Sequence, residues 1–175
     1  MISAEYFTGG NNTLDLADPF NQNGLMNRPT SLPDQVIHEL VHIQQARKSP
    51  IAVITANTVL KWALYEGVAN FITSLITGTH VNNAAHHYLA NNESTLWCEF
   101  FGTTNTNRKS KWLDKNLFSN PPRGLAGAFG YHIAKAYYDQ SEDKDQAFEI
   151  LVELNDYDDV YEKSGVHSCL SSSCE

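Results

Sequence analysis

A mostly α fold of the α+β class, with one small β element at the N-terminus, follows from three features of the sequence. Apolar residues recur at helical spacing in several stretches after residue 31, helix start and stop signals bracket those stretches, and a short β-like run, Ile2 to Phe7, ends at Gly9 and Gly10. The length of 175 residues suits one compact domain. Hydrophobic residues make up 42% of the chain and charged residues 18%, which supplies a core and excludes the composition of a disordered chain.

The stretch after Gly10 is rich in Asn, Gly, Pro and Asp and reads as a long loop with room for one edge strand. At Ser31-Leu32-Pro33-Asp34 a Ser is followed three positions later by an acid, with a Pro in the first turn, so a helix starts here. It runs from about Leu32 to Arg47, and Pro50 blocks its continuation. A second helix is predicted roughly from Thr58 to Thr77, with Gly78 as its C-terminal cap. Weaker helical patterns cover about Val81 to Ala90 and Glu93 to Phe101, and Thr103 to Lys115 reads as a polar, basic loop. After Pro121 and Pro122, glycines at 124, 127 and 130 lead into a helix through Tyr131 to Tyr138. Glu142 to Asn155 places Ala147, Ile150, Leu151 and Leu154 on one helix face. Residues 1–165 are assigned to a single domain and 166–175 to a flexible Ser- and Cys-rich tail.

Twenty acids against twelve bases leave a net charge of −8, the wrong sign for gathering phosphate backbones, so nucleic acid is not an expected partner. No apolar run is long enough for a membrane span, and the first residues lack the basic and apolar regions of an export signal. The expectation is a soluble chain, cytoplasmic by default. Three cysteines cannot complete a disulfide framework. Cys98, in LWCEFF, reads as a buried thiol, whereas Cys169 and Cys174 in the tail either pair with each other or, with His167, form a weak metal-binding pattern.

The chemistry lies in VIHELVHIQQ. His38 and His42 are four residues apart, which puts their imidazoles about 40 degrees apart around a helix and lets both reach one metal ion. Val36, Ile37, Leu40, Val41 and Ile43 fall on the opposite arc, expected to be buried. Glu39 points about a quarter-turn from His38, beside the ion's open position, where a general base belongs. The pattern is HExxH, in which two imidazoles ligate and the carboxylate takes a proton from the attacking water.

A catalytic zinc usually takes a third protein ligand. Glu66, in LYEGVANFITSLITG, is the leading candidate, with His80, His86 and His87 as rivals. On its helix Leu60, Leu64, Val68, Phe71, Ile72 and Leu75 form the expected buried arc, while Trp62, Glu66, Asn70 and Thr73 share the opposite stripe. Gly67 costs helix stability, which points to a backbone packed closely against it.

HELVH followed by a helix carrying Glu66-Gly67-Val68-Ala69-Asn70 resembles the gluzincin group of zinc metallopeptidases. Together with the later GLAGAFGYHIAKAYYDQ it is similar to a family of predicted bacterial zinc-dependent proteases, over most of the chain to about residue 165. The resemblance implies a zincin-like helical domain packed on a small sheet, one Zn2+ per chain held by His38, His42 and Glu66, and Glu39 as general base and acid. Two departures stand out. Gluzincins commonly carry an aspartate where this chain has Asn70, which can orient a ligand ring without supplying charge. Only about thirty residues precede the HExxH helix, so the upper sheet is expected to be reduced or missing.

The expected activity is therefore zinc-dependent hydrolysis of peptide bonds in a peptide or protein substrate. By type, Tyr131 and His132 are candidates to donate a hydrogen bond to the transition state, and Tyr131 matches a Gly-Tyr of the resembling family. Trp62, Tyr65, Trp97, Phe100 and Phe101 either line subsites or pack the core. Asn70 and the short N-terminus favour an alternative, a non-catalytic zinc-binding interaction module that retains the HExxH helix. A structural helical protein without bound metal is a third reading.

Overall fold

The computed structural model describes residues 32–79, 83–107, 112, 122, 124–170 and 174. Among them are nine helices and no strand: α1 (Leu32–Lys48), α2 (Pro50–Ile54), α3 (Val59–Thr77), α4 (Asn83–Asn91), α5 (Glu93–Phe101), α6 (Leu125–Gln140), α7 (Lys144–Glu153), α8 (Tyr157–Lys163) and α9 (Val166–Leu170). The fold is mostly α. The Ile2 to Phe7 run, the loop after it and Ser31 lie outside the described residues.

Local signals set the helix ends. Asp34 in the first turn of α1 and Arg47 and Lys48 in its last complement the helix dipole. Pro50 ends α1 and opens α2, because its ring fits the first turn of a helix but not the interior. Thr58 caps α3 by accepting from the Lys61 amide at 3.3 Å, and Gly78 closes it in the left-handed conformation (φ 72°). The Val59 and Leu60 amides, orphaned at that N-terminus, donate to the Thr106 and Thr104 carbonyls at 3.0 Å each. The segment after α5 thus serves as a backbone cap for α3. Farther along the same stretch, Trp112 is buried against Phe100 and Phe129 and donates its indole N–H to Thr103 Oγ1 at 3.0 Å.

The most extensive helix pairing is α3 against α6. It depends on two glycines. A Cβ on Gly130 would fall on the Ala63 carbonyl, and one on Gly67 would fall on the Gly130 and Tyr131 backbone. The packing reason expected for Gly67 is therefore this contact with α6. The helix expected from Tyr131 begins six residues earlier, at Leu125, so Gly127 and Gly130 are interior helical residues facing α3 rather than a lead-in turn. Their conformational cost is offset by the close approach they permit. Around the crossing, Phe100 stacks on Phe129 at 4.3 Å and Trp97 meets Phe129 edge-on at 4.7 Å.

Two amphipathic expectations change. On α1, Val36, Leu40 and Ile43 are exposed by 38%, 50% and 51%, and of the expected arc only Val41 is fully buried. The buried face of α1 instead carries Asp34, Val41 and Gln45, with His38 and His42 half-buried between them. Polar contacts with α3, described below, outweigh the apolar stripe in orienting this helix. On α3, Asn70 and Thr73 are buried and Leu75 is exposed, because partners lie on two sides of this helix: α6 on one and α1 on the other.

The C-terminal segment is anchored. Cys98 on α5 forms a disulfide with Cys174 across a sequence separation of 76 residues, and α9 precedes that link. Cys98 is therefore not a buried free thiol, Cys174 is not paired with Cys169, and Cys174 is unavailable to a tail metal site. His167 packs its ring on Phe101 at 4.8 Å.

Gly130→Ala is expected to lower the unfolding free energy by about 3 kcal/mol or more, since backbone must move to admit the methyl. Gly102→Ala, whose Cβ would meet atoms no nearer than 3.6 Å, should stay within about 0.5 kcal/mol of wild type in the same urea titration. Replacing Cys98 and Cys174 together by Ser should cost about 2–4 kcal/mol, because a link across so long a loop restricts the unfolded chain. An unchanged urea midpoint would contradict that link.

Candidate metal centre

The centre is built where α1 crosses α3. The i, i+4 spacing on α1 brings His38 and His42 to one side, with their Nε2 atoms 3.1 Å apart. From α3, Glu66 Oε2 lies 3.7 Å from each of these nitrogens. The three residues form the group able to hold a metal ion among the described residues, their donor atoms all within 4.8 Å of one another. An ion bound at 2.0–2.1 Å with tetrahedral geometry separates its donors by about 3.3 Å, so the site needs little adjustment to close on one. Two neutral imidazoles and a carboxylate are also the donor set such an ion prefers. Glu66 is the third member of this group. Of its rivals, His86 packs its ring against Tyr131 at 4.7 Å, His87 is exposed, and His80 lies outside the described residues.

Side-chain exposures of 13%, 14% and 29% for His38, His42 and Glu66 leave the carboxylate the most open of the three. Glu39 is half-buried, and its negative charge acts on both His42 and Tyr65. The expected base is thus on the electrostatic neighbourhood of the cluster while remaining outside the ligand set. Behind Glu66, α6 passes so closely that a Cβ on Gly127 would sit 3.5 Å from the Glu66 Cβ and 2.9 Å from the Asn70 amide nitrogen. The absence of a side chain at Gly127 makes room for both.

Two residues that the sequence reading did not single out for this role surround His42. Gln45, only 1% exposed, has its Oε1 2.8 Å from His42 Nδ1, and its Nε2 donates to the Tyr65 carbonyl at 3.3 Å. The Tyr65 ring stacks on the His42 imidazole with centroids 4.3 Å apart and planes inclined by 18°. The available signal was spacing: Gln45 is one turn beyond His42 on the same face of α1. By contrast, His38 Nδ1 is buried without a hydrogen-bond partner. Asn70, buried beside Gly127, thus makes no hydrogen bond to His38 Nδ1.

Tyr131 is a core residue, 5% exposed, with its hydroxyl 3.4 Å from Ser74 Oγ and its ring against Phe71. Ser74 lies eight residues beyond Glu66 on α3, about 12 Å of helix rise. His132 is exposed and its ring neighbours His86 and Trp97. Neither side chain is thereby placed among the three ligands. Of the aromatics suggested for subsites, Trp97 and Phe100 are buried core and Tyr65 lies at the centre.

Charge and burial compete at these groups. Burial pushes the Glu66 carboxyl up, but the facing imidazoles of His38 and His42 outweigh it and hold the group at about 2. Burial pulls His42 down, and the Glu66 carboxylate, with Gln45 and Glu39, more than offsets this and leaves it raised. Among known protein families, curated proteins and solved structures, none matches the chain, so its chemistry has to be read from this site.

These shifts fix a pH dependence for the metal-free protein. The Glu66 contribution is complete above its ordinary 4.5 and is lost as pH falls toward about 2. The His42 contribution is complete below 6.5 and is lost as pH rises through its raised folded value. The melting temperature of wild type should exceed that of Glu66→Gln most between pH 4.5 and 6.5, with the gap shrinking on both sides. A gap independent of pH would show that the pair contributes no such linkage.

Proposed function

We propose that this protein is a zinc-dependent peptidase of the gluzincin type, with His38, His42 and Glu66 as ligands and Glu39 as general base. The observation that carries the reading is the convergence of two Nε2 atoms and one carboxylate oxygen from separate helices, with a second carboxylate one residue from a ligand and outside the set. Zinc held by His38, His42 and Glu66 would supply a Lewis acid for the scissile carbonyl and would lower the pKa of a water to about 7. Glu39 accepts the proton of the attacking water and returns it to the leaving amine nitrogen. In this reading an extended peptide approaches from the side of Glu66, the most open of the three groups.

A zinc-binding interaction module without turnover is favoured by one observation: the hydroxyl of Tyr131 is engaged with Ser74 and His132 faces solvent, so neither supplies an evident transition-state donor.

Zinc content and cleavage of a mixed-peptide library distinguish the two readings. Wild type should carry about one zinc per chain, the number of ligand sets described, and should cleave the library. Glu39→Gln should keep the metal and lose activity by about 10²–10⁴-fold. His38→Ala and Glu66→Ala should lose both. Zinc-loaded wild type that cleaves nothing would select the module reading, and retention of zinc in Glu66→Ala would remove Glu66 from the ligand set.

A further inference from the structure

We infer that Gln45 is a positioning residue of the metal centre, whose side-chain amide locks His42 in the tautomer that carries its proton on Nδ1 and turns a bare Nε2 toward His38 and Glu66. The metal-affinity part of this inference rests on the metal-centre reading above; the tautomer part does not.

The orientation of the amide is forced by its two partners. A backbone carbonyl only accepts, so the end of Gln45 that meets the Tyr65 carbonyl at 3.3 Å has to be the nitrogen. The oxygen end then faces His42 Nδ1 at 2.8 Å, and an amide oxygen has no hydrogen to give. The hydrogen belongs to Nδ1. A neutral imidazole has one N–H, so Nε2, 3.1 Å from His38 Nε2, keeps its lone pair on the side where Glu66 lies. Reversing the amide would set oxygen against oxygen at Tyr65 and require an N–H on Nε2, aimed into the cluster. At 1% exposure Gln45 has little access to water that would rescue the reversed arrangement.

The same amide also fixes a distance. It ties α1 to the residue next to Glu66, so the helix carrying two ligands is held in register with the helix carrying the third. The stacked Tyr65 ring restrains the remaining tilt of His42. His38, with no partner on Nδ1, lacks this support. The two imidazoles are therefore unequal: His42 is held through Nδ1 and by the stacked ring, and His38 is not.

The test uses the full chain, metal-free and with added zinc, as wild type, Gln45→Met and Gln45→Glu. Long-range nitrogen–proton correlation spectra, at a pH that leaves the imidazoles neutral, should show His42 protonated on Nδ1 in wild type and Gln45→Glu and mixed tautomers in Gln45→Met. Zinc affinity, by competition with a chelator, should fall 10–100-fold in Gln45→Met and by less in Gln45→Glu, which keeps the acceptor for His42 Nδ1 although it loses the donor to the Tyr65 carbonyl. A purely structural role would lower thermal stability in both variants and leave affinity and tautomer unchanged. His42 protonated on Nε2 in wild type, or undiminished affinity in a folded Gln45→Met, overturns the inference. If wild type binds no zinc the metal-centre reading fails, while its metal-free spectrum still decides the tautomer. Should Gln45→Met not fold, the wild-type spectrum and Gln45→Glu decide it.

Discussion

The backbone contact between α3 and α6 is the constraint on which the remainder of the structure hangs. Side chains at Gly67 and Gly130 would each strike main-chain atoms of the other helix, so the two rods can meet at this depth only with hydrogen at both positions. That approach sets where α3 lies, and α3 supplies Glu66. One further turn along the same contact, Gly127 leaves the space that Asn70 and the root of Glu66 occupy. The Glu66 side chain is thus held from behind by main chain, which cannot swing away as a long side chain would. Rigid support of this kind is what a preorganised centre requires.

Helix α1 shows the opposite economy. Its inner face is polar, with Asp34, His38, His42 and Gln45 directed toward the interior, and Val36, Leu40 and Ile43 lie outside. Burying polar groups is unfavourable unless their hydrogen bonds are made, and the Gln45 amide meets that condition at both ends. The helix is oriented by specificity of contact more than by removal of apolar area from water. At the C-terminal end of α1, Lys48 reaches Glu153 at 3.0 Å and Ser49 bonds to Asn155, which joins the helix carrying His38 and His42 to α7 and the residues after it.

Much of this was legible in the residues. Glu93–Phe101 is predicted with its observed bounds, and Gly78 is predicted as the cap of α3 because a left-handed cap is a local property, while the start predicted at Thr58 falls one residue before the observed one. The His38 and His42 pair was legible because i, i+4 geometry is nearly independent of context, whereas Glu66, on another helix, was the leading one of several candidates and the resemblance favoured it. The start of α6 was not, since glycines that read as a turn are also the residues a tight crossing demands. Burial on α1 was misjudged for a related reason: periodicity tells which residues share a face, and only the partner helix tells which face turns inward. Gln45 carried no distinctive motif, and its role depends on a carbonyl twenty residues away. The Cys98–Cys174 pairing was likewise invisible, as three thiols admit several combinations.

That pairing has a consequence for the chain as a covalent object. Between the two sulfurs the polypeptide forms a ring that contains all of α6, α7, α8 and α9. A protease that nicks this ring once, for instance between α5 and α6, opens it without liberating either piece, and the molecule keeps its mass until a reductant severs the sulfur bond. The helix that buttresses Glu66 would stay tethered beside it after such a cut.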